Sequence, residues 1–297
     1  MRIIALFSVT LLFLVANPLR AQQDKDAPLA NSLLWEITGK GLEKPSYVFG
    51  TIHMIDREHY FLTDAAREAF DKAYNVTFEI DMEEMTDLGR LMPLMMKAFM
   101  QGDTTLQDLL SEEEYSLVSN HFQEIGLPMM FVERIKPMFL SALTSGDMSS
   151  PTAQQDIVSY EMELMEMAQD KEKEIMGLET AEYQMSMFDS IPYRVQADML
   201  VAAIQDQSGS SDQMERMIEL YTTQNIEGMQ SLMEEDQDVL DYQDLLLVTR
   251  NRNWIPVMEK RMADGPSFFA VGAGHLAGAE GVLRLLMEAG YSIKPLF

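Results

Sequence analysis

Apolar and polar residues along the chain fall into two patterns: short, nearly continuous apolar runs near both ends, and apolar positions at helical spacing between them. Leu33-Leu34-Trp35-Glu36-Ile37-Thr38 predicts a strand, Gly39-Lys40-Gly41 a turn, and Pro45-Ser46-Tyr47-Val48-Phe49 its hairpin partner. This second strand runs straight into Gly50-Thr51-Ile52-His53. Thr63 is placed to cap a helix reaching about Tyr74, and Asn75-Val76-Thr77-Phe78-Glu79-Ile80 returns as a strand. From about Met85 to Met262 helix follows helix, with turn residues at Gly102, Gly126-Leu127-Pro128, Gly146 to Pro151 and Ser208 to Ser211, and Ser111 with Glu114 forms a capping box. One strand interrupts this region, at Glu174-Ile175-Met176-Gly177-Leu178. The chain closes with a strand at Ser267 to Val271, a loop, a helix from about Ala279 to Ala289 and a last strand at Tyr291 to Pro295. Strand, helix and strand in alternation favour an α/β layer architecture, whose sites gather at the carboxyl ends of strands.

One internal echo sharpens that picture. Ser46-Tyr47-Val48-Phe49-Gly50-Thr51-Ile52-His53 and Phe268-Phe269-Ala270-Val271-Gly272-Ala273-Gly274-His275 are both apolar strands running into Gly-x-x-His. The expected fold is therefore α/β, a central mixed sheet built from two related halves, with a large and mainly helical middle region over about 85–262.

The amino terminus sets the compartment. Met1 and Arg2 precede the apolar run Ile3 to Ala16, Asn17-Pro18 breaks it, and the small Ala21 follows. That is the layout of a signal peptide over residues 1–21, and the run is shorter than the ~20 residues a membrane-spanning helix needs. A membrane anchor is the competing reading. The expectation is an exported protein, periplasmic or secreted, whose 22–297 segment forms a single domain without stable membrane insertion. There is no cysteine, so the mature chain carries neither a disulfide staple nor a lipid on cysteine.

Charge and methionine content narrow the partners. The sequence has 22 basic and 48 acidic side chains, a net charge of −26; removing Arg2 and Arg20 with the leader makes it −28. Such a field repels phosphate backbones and anionic membrane surfaces, and no basic stripe overcomes it, so nucleic acid is excluded as a partner. A divalent cation or a basic peptide would be attracted. Twenty-six methionines fall at helix-like spacing, as in Met92, Met95, Met96 and Met100 and again in Met162, Met165 and Met167. The plain reading is adaptable core filler on amphipathic helices; the sharper one is a pliable groove for apolar peptide segments.

The chemistry converges on a few residues. A glycine straight after a buried strand lets the backbone turn or approach a ligand, and the histidine three residues on can bind a metal or shuttle a proton. One Gly-x-x-His is weak; two, each after an apolar strand and near opposite ends of the chain, single out Gly50 with His53 and Gly272 with His275. The other two of the four histidines, His59 and His121, sit among charged or polar neighbours and are expected to face solvent. Without cysteine a metal site draws on histidine and carboxylate, which suits zinc, manganese, cobalt or iron(II). Glu79, between Phe78 and Ile80 near the end of a buried strand, supplies the carboxylate, since an unpaired buried charge there is costly. The competing explanations are a salt bridge, with Arg250 as one candidate partner, or a strand end that is simply wet. Asp81 shares Glu79's side of the strand and is a candidate for supporting it, whereas Glu83 and Glu84 read as a solvated face.

Taken in order, Leu34-Trp35-Glu36-Ile37, Phe49-Gly50-Thr51-Ile52-His53, Thr77-Phe78-Glu79-Ile80-Asp81 and Val271-Gly272-Ala273-Gly274-His275-Leu276-Ala277-Gly278 resemble the TraB/GumN family, which includes the Tiki proteins. Lys136-Pro137, Gly177-Leu178-Glu179-Thr180 with Gln184, and Arg250-Asn251 with Trp254 carry the similarity along nearly the whole mature chain; Met138 stands where the family often has tryptophan. The resemblance implies a fold similar to the erythromycin-esterase and ChaN-like group. It also implies metal-dependent peptide cleavage, with His53, His275 and Glu79 in the positions tied to that activity and Arg250 as a polar helper. The leading expectation is thus an exported metal-dependent hydrolase, a peptidase acting on a peptide or small molecule, with manganese, cobalt or zinc held by His53, His275 and Glu79. A metal-free pairing of Glu79 with a histidine as acid and base stays open. The alternative from another class is a non-catalytic exported binding or assembly protein serving polysaccharide or envelope biogenesis.

Overall fold

The computed structural model describes residues 27–82, 88–144, 157–205, 209–235, 240 and 242–297. The expected signal peptide, Glu83, Glu84, Met85 and the turn residues Gly146 to Pro151 lie outside the described residues. Among the described residues there are eight strands: β1 (Leu34–Gly39), β2 (Ser46–Thr51), β3 (Ile55–Asp56), β4 (Asn75–Ile80), β5 (Ile157–Val158), β6 (Glu174–Glu179), β7 (Ser267–Gly272) and β8 (Tyr291–Leu296). Six of them form one sheet in the order β6-β4-β7-β2-β1-β8, and β3 pairs with β5 apart from it. The sheet is mixed: β6, β4, β7 and β2 run parallel, whereas β1 is antiparallel to both β2 and β8.

Residue pattern and position in the sheet agree. Central parallel strands are covered on both faces, and β2 and β7 accordingly read as buried runs, SYVFGT throughout and SFFAV up to the half-buried Gly272. At the edge, β8 alternates buried Tyr291 and Ile293 with exposed Ser292 and Lys294. The two echoing strands are direct neighbours, with Phe49 opposite Ala270 and Gly50 opposite Val271, so both Gly-x-x-His motifs leave the same end of the sheet. The predicted strand at 174–178 forms as β6 and pairs with β4, Phe78 opposite Gly177.

Local chemistry sets the helix ends. Thr63 Oγ1 accepts from the Ala66 amide at 3.1 Å and starts the helix Asp64–Lys72, which stops at Ala73, just short of the expected Tyr74. Ser111 and Glu114 make the predicted capping box on the helix Glu112–Glu124. The closing helix begins at Val282 rather than Ala279, because Gly281, extended at φ −71° and ψ 152°, lies inside the expected span and is the residue that caps it. One core lies along the sheet; a second, built around Leu106, Phe122, Leu140 and Leu200, holds the helical region together.

The methionines divide. Met100 and Met165 are buried and Met167 packs on the core, but Met92, Met95, Met96 and Met162 are exposed, so core filling does not account for them. The helix Leu88–Lys97 buries only Leu94, and its methionines face outward on a surface helix. Neither spare histidine is fully in solvent: His59 is half-buried, and His121 is half-buried with its ring edge-on to Phe122 at 5.4 Å. Among the described residues no helix is long and apolar enough to cross a membrane.

Candidate functional site

At the carboxyl ends of β2, β4 and β7 a cavity of about 940 Å3 opens, and Thr51, His53, Glu79, Arg250, Gly272 and His275 all line it. The fold thus brings both Gly-x-x-His histidines and Glu79 to one space, but it gives each its own setting. Asp81, proposed as support for Glu79, is half-buried just past β4 and does not line the cavity.

Glu79 is the most tightly held. It is 9% exposed; Oε1 accepts from the Gly272 amide at 2.8 Å, and Oε2 accepts from Arg250 Nη2 at 2.6 Å and from Gln184 Nε2 at 3.1 Å. Burial alone would raise its pKa; the charges around it and the Gly272 amide outweigh that and hold it at about 2. The salt bridge weighed as the competing explanation for Glu79 therefore exists inside the site. Arg250 is equally engaged: Nε donates to Glu179 Oε1 at 2.9 Å, Nη1 to the Leu246 carbonyl at 3.2 Å, and the guanidinium lies 4.8 Å from the Trp254 ring centre. A π turn at Asp244–Val248, a distortion frequent at functional sites, precedes Arg250 and offers that carbonyl. Trp254 Nε1 in turn donates to Glu179 Oε2 at 2.9 Å.

His275 sits in the short turn after β7, 4% exposed. Asn251 Nδ2 donates to the Glu280 carbonyl, which leaves Asn251 Oδ1 as acceptor, 2.6 Å from His275 Nδ1. The network assigns the proton to Nδ1, so Nε2 is a lone pair facing Arg250 Nη1 at 3.2 Å and Glu79 Oε1 at 3.7 Å. Burial pushes its pKa down to about 4, so at neutral pH the ring is uncharged, and Arg250, the Gly272 amide and His53 are what hold Glu79 ionised there; His275 adds its own charge only once it is protonated.

His53 is the opposite case. Its side chain is 73% exposed into the cavity, and Nδ1 lies 3.2 Å from Glu161 Oε1, which also accepts from Thr51 Oγ1 at 2.7 Å. The hydrogen bond to Glu161 raises its pKa to about 9. Glu161, in the first turn of the helix Tyr160–Asp170, has its own pKa lowered: burial works against the charge, and His53 and Thr51 more than offset it.

The ligand set was tested against a divalent ion, and it does not fit. Nε2 of His275 faces Arg250 and both oxygens of Glu79 accept protein hydrogen bonds, which leaves His53, 73% exposed with its Nδ1 on Glu161, as the one of the three still open to an ion. Among the described residues no three histidine, aspartate or glutamate side chains are grouped to hold an ion. A guanidinium fills the space between the carboxylates and the imidazole where the sequence reading put a metal. Periodicity and motif spacing did not single out Glu161, Glu179, Gln184, Asn251 or Trp254. The last four lie in the segments that carried the resemblance; Glu161, one of many acidic residues on a methionine-rich helix, gave no signal.

Fold and site together define a class: a mixed-sheet α/β protein with a buried histidine–glutamate–arginine centre at the carboxyl ends of adjacent parallel strands. The chain belongs to the TraB/PrgY/gumN family, whose profile matches residues 33–295, and the resemblance read from the sequence is thereby borne out. It is 22% identical over 316 residues to metalloprotease TIKI1 of Danio rerio, a match covering 89% of this chain and 63% of that one. To metalloprotease TIKI1 of Homo sapiens it is 35% identical over 100 residues, 33% of this chain and 19% of the relative. To the Xenopus tropicalis TIKI1 it is 31% identical over 127 residues, 40% and 24% respectively. The chain thus spans less than two thirds of the length of these relatives. No solved structure matches it significantly.

Proposed function

We propose that this protein is an exported hydrolase of amide bonds, a peptidase, working from the cavity at the ends of β2, β4 and β7. The observation that carries the reading is that the two motif histidines line one cavity in opposed settings: His53 exposed and paired with Glu161, which pushes its pKa up to about 9, and His275 held against Asn251, where burial pushes it down to about 4. Titratable partners whose surroundings drive their pKa values apart are an acid and a base in waiting. At neutral pH His53 is an imidazolium open to the cavity and His275 a neutral imidazole with its Nε2 lone pair beside a carboxylate. Water attacks the scissile carbonyl carbon while His275 Nε2 takes its proton. Glu79, 3.7 Å away, stabilises the imidazolium so formed, and Arg250 Nη1 keeps its bond to the Leu246 carbonyl as it leaves Nε2. The carbon–nitrogen bond breaks as His53 gives its proton to the departing amine, and solvent restores both rings. General acid–base transfer of this kind contributes typically 10²–10⁴-fold.

The choice of peptides draws on the names of the three relatives, all metalloproteases, and export draws on the leader-like residues 1–21. No step is assigned to a metal ion, given the fit of the ligand set. The test is a peptide-library cleavage screen on protein stripped with chelator and on protein supplemented with manganese, cobalt or zinc, beside Glu79→Gln and His53→Gln. Cleavage is expected from the stripped wild type, with a loss of at least about 100-fold in each variant. Full activity in folded His53→Gln removes the acid and overturns the mechanism; strict dependence on added ion means Arg250 yields its place. A folded protein that cleaves nothing under any condition leaves the binding or assembly role.

A further inference from the structure

The apolar lining of the cavity is rich in one side chain. Met54, Met187, Met214, Met217, Met229 and Met233 line the cavity, six of the 26 methionines of the chain. They come from four separate segments. Met214 and Met217 stack on one face of the helix Gly209–Thr222, and Met229 and Met233 on one face of the helix Ile226–Glu234. Met187 ends the helix Ala181–Met187, and Met54 follows His53 directly. Phe188, Leu246 and Leu247 fill the spaces between them.

This wall reaches the chemistry. A Cβ on Gly274, the residue before His275, would lie 2.8 Å from Met233 Sδ, so the motif loop and the methionine touch. Met54 and Met214 are 55% and 41% exposed, open for a ligand to cover, whereas Met229 at 2% is the packed back of the wall. The charged groups on the rim disfavour an acidic side chain: Arg250 is paired with both Glu79 and Glu179, His53 with Glu161, and Asp56 adds negative charge.

We propose that the cavity is a specificity pocket for large, apolar, conformationally varied side chains, such as leucine, norleucine, methionine and phenylalanine, at a position flanking the scissile bond. Thioether side chains have three rotatable bonds and a polarisable sulfur, so they mould to apolar guests of different shape while excluding acidic ones. At about 940 Å3 the cavity takes such a side chain with its flanking backbone and not merely a methyl group. Cleavage next to that side chain rests on the hydrolase reading; its binding does not.

The probe is a set of peptides acetyl-Ala-Ala-Xaa-Ala-Ala-amide with Xaa norleucine, phenylalanine, alanine or aspartate. Binding is measured by calorimetry to wild-type protein and to Glu79→Gln, and cleavage by wild type is followed separately. Norleucine and phenylalanine are expected to bind within a few-fold of each other and at least about 10-fold tighter than alanine, with aspartate weakest. Replacing both Met214 and Met217 by glutamine should remove that discrimination while leaving the alanine peptide unaffected, and Met214→Leu with Met217→Leu should preserve it. A general packing defect would weaken all four peptides alike. Equal binding of alanine and norleucine, preference for aspartate, or no binding by any peptide overturns the proposal. Selective binding without any cleavage keeps the pocket and defeats the hydrolase reading; cleavage without side-chain preference does the reverse.

Discussion

Arg250 Nη2 lies 2.6 Å from Oε2 of Glu79, and both side chains are almost wholly buried, at 8% and 11% exposure. The same nitrogen is 2.7 Å from Glu179 Oε1, so one guanidinium bridges the carboxyl ends of β4 and β6 while its other arm faces His275. Two buried carboxylates this near each other need a cation between them, because an unpaired buried charge costs several kcal/mol. Arg250 supplies it permanently, without dependence on pH.

Replacing that cation is therefore the severest single change at the site. Arg250→Met keeps bulk but leaves Glu79 and Glu179 facing each other, and urea unfolding at pH 7 should show a loss of about 3–5 kcal/mol. The loss should shrink as the pH falls toward 4, where the two carboxyls can take up protons in the variant. Arg250→Lys should recover part of the stability but not the paired contacts to Glu179 and Glu79. A loss below about 1 kcal/mol, or one that does not vary with pH, would show that the guanidinium is not the keystone.

His275 gives a stability signature of its own. Its folded pKa of about 4 lies below the ordinary 6.5, so between those values the unfolded chain binds the proton and the folded chain does not. Its neutral form is fully compatible with the fold above pH 6.5, and stability falls as pH drops from 6.5 through 4, by about 3 kcal/mol from this residue. Many carboxylates titrate in the same range, so the quantity to measure is a difference: the drop in urea stability from pH 7 to pH 4.5 should be smaller in His275→Gln than in wild type. An identical drop would mean that the ring is already charged, or wet, in the folded protein.

Much of this site was legible from residue order alone, and the reasons divide cleanly. Long apolar runs ending in Gly-x-x-His announce buried parallel strands and their carboxyl ends, and β2 and β7 do lie side by side. Glu79 stood out because a charge inside Thr77-Phe78-Glu79-Ile80 demands a partner. Arg250, 171 residues away on a helix, is already a candidate partner in the sequence, but nothing in its local pattern says that it also meets a second carboxylate, Glu179, and the His275 imidazole. Glu161 is hidden for the same reason, one acid among many on the helix Tyr160–Asp170. Helical periodicity reports that a face is apolar, not whether it meets a core or an open space, which is why exposed Met92 and cavity-lining Met214 look alike in sequence.

Glu161 controls the charge of His53. Glu161→Gln keeps the hydrogen-bonding shape and removes the negative charge, so the raised pKa of about 9 should fall toward the ordinary histidine range. Folding stability contributed by this contact is present in full below pH 6.5 and lost as pH rises through 9, and in the variant that loss should move to lower pH. Titration of the His53 ring protons by NMR checks it directly. If amide cleavage uses the His53 imidazolium, the alkaline limb of the rate profile should move down with the same pKa. An unchanged ring titration in Glu161→Gln would dissociate the two residues.

Gly50 ties the two motifs together by what it lacks. A Cβ there would stand 2.7 Å from Leu276 Cδ1 and 3.1 Å from both Cα and Cβ of Ala273, so the first Gly-x-x-His is packed against the loop of the second. Leu276 is fully buried and Ala273 nearly so, and the backbone at Ala273 cannot retreat without dragging His275 away from Asn251 and Arg250. The carbonyl of Gly50 also accepts from Tyr221 Oη at 3.1 Å, which pins β2 to the helix carrying Met214 and Met217. Gly50→Ala should therefore cost about 1–3 kcal/mol by overpacking. It should also lower hydrolytic turnover by more than that stability loss explains, since the displaced loop moves the base. Gly41→Ala, at a site with nothing within 4 Å but a φ of +83°, supplies a control: strain there should cost stability without touching turnover. If Gly50→Ala and Gly41→Ala prove equally active when both are folded, the close approach of the two motifs is packing alone.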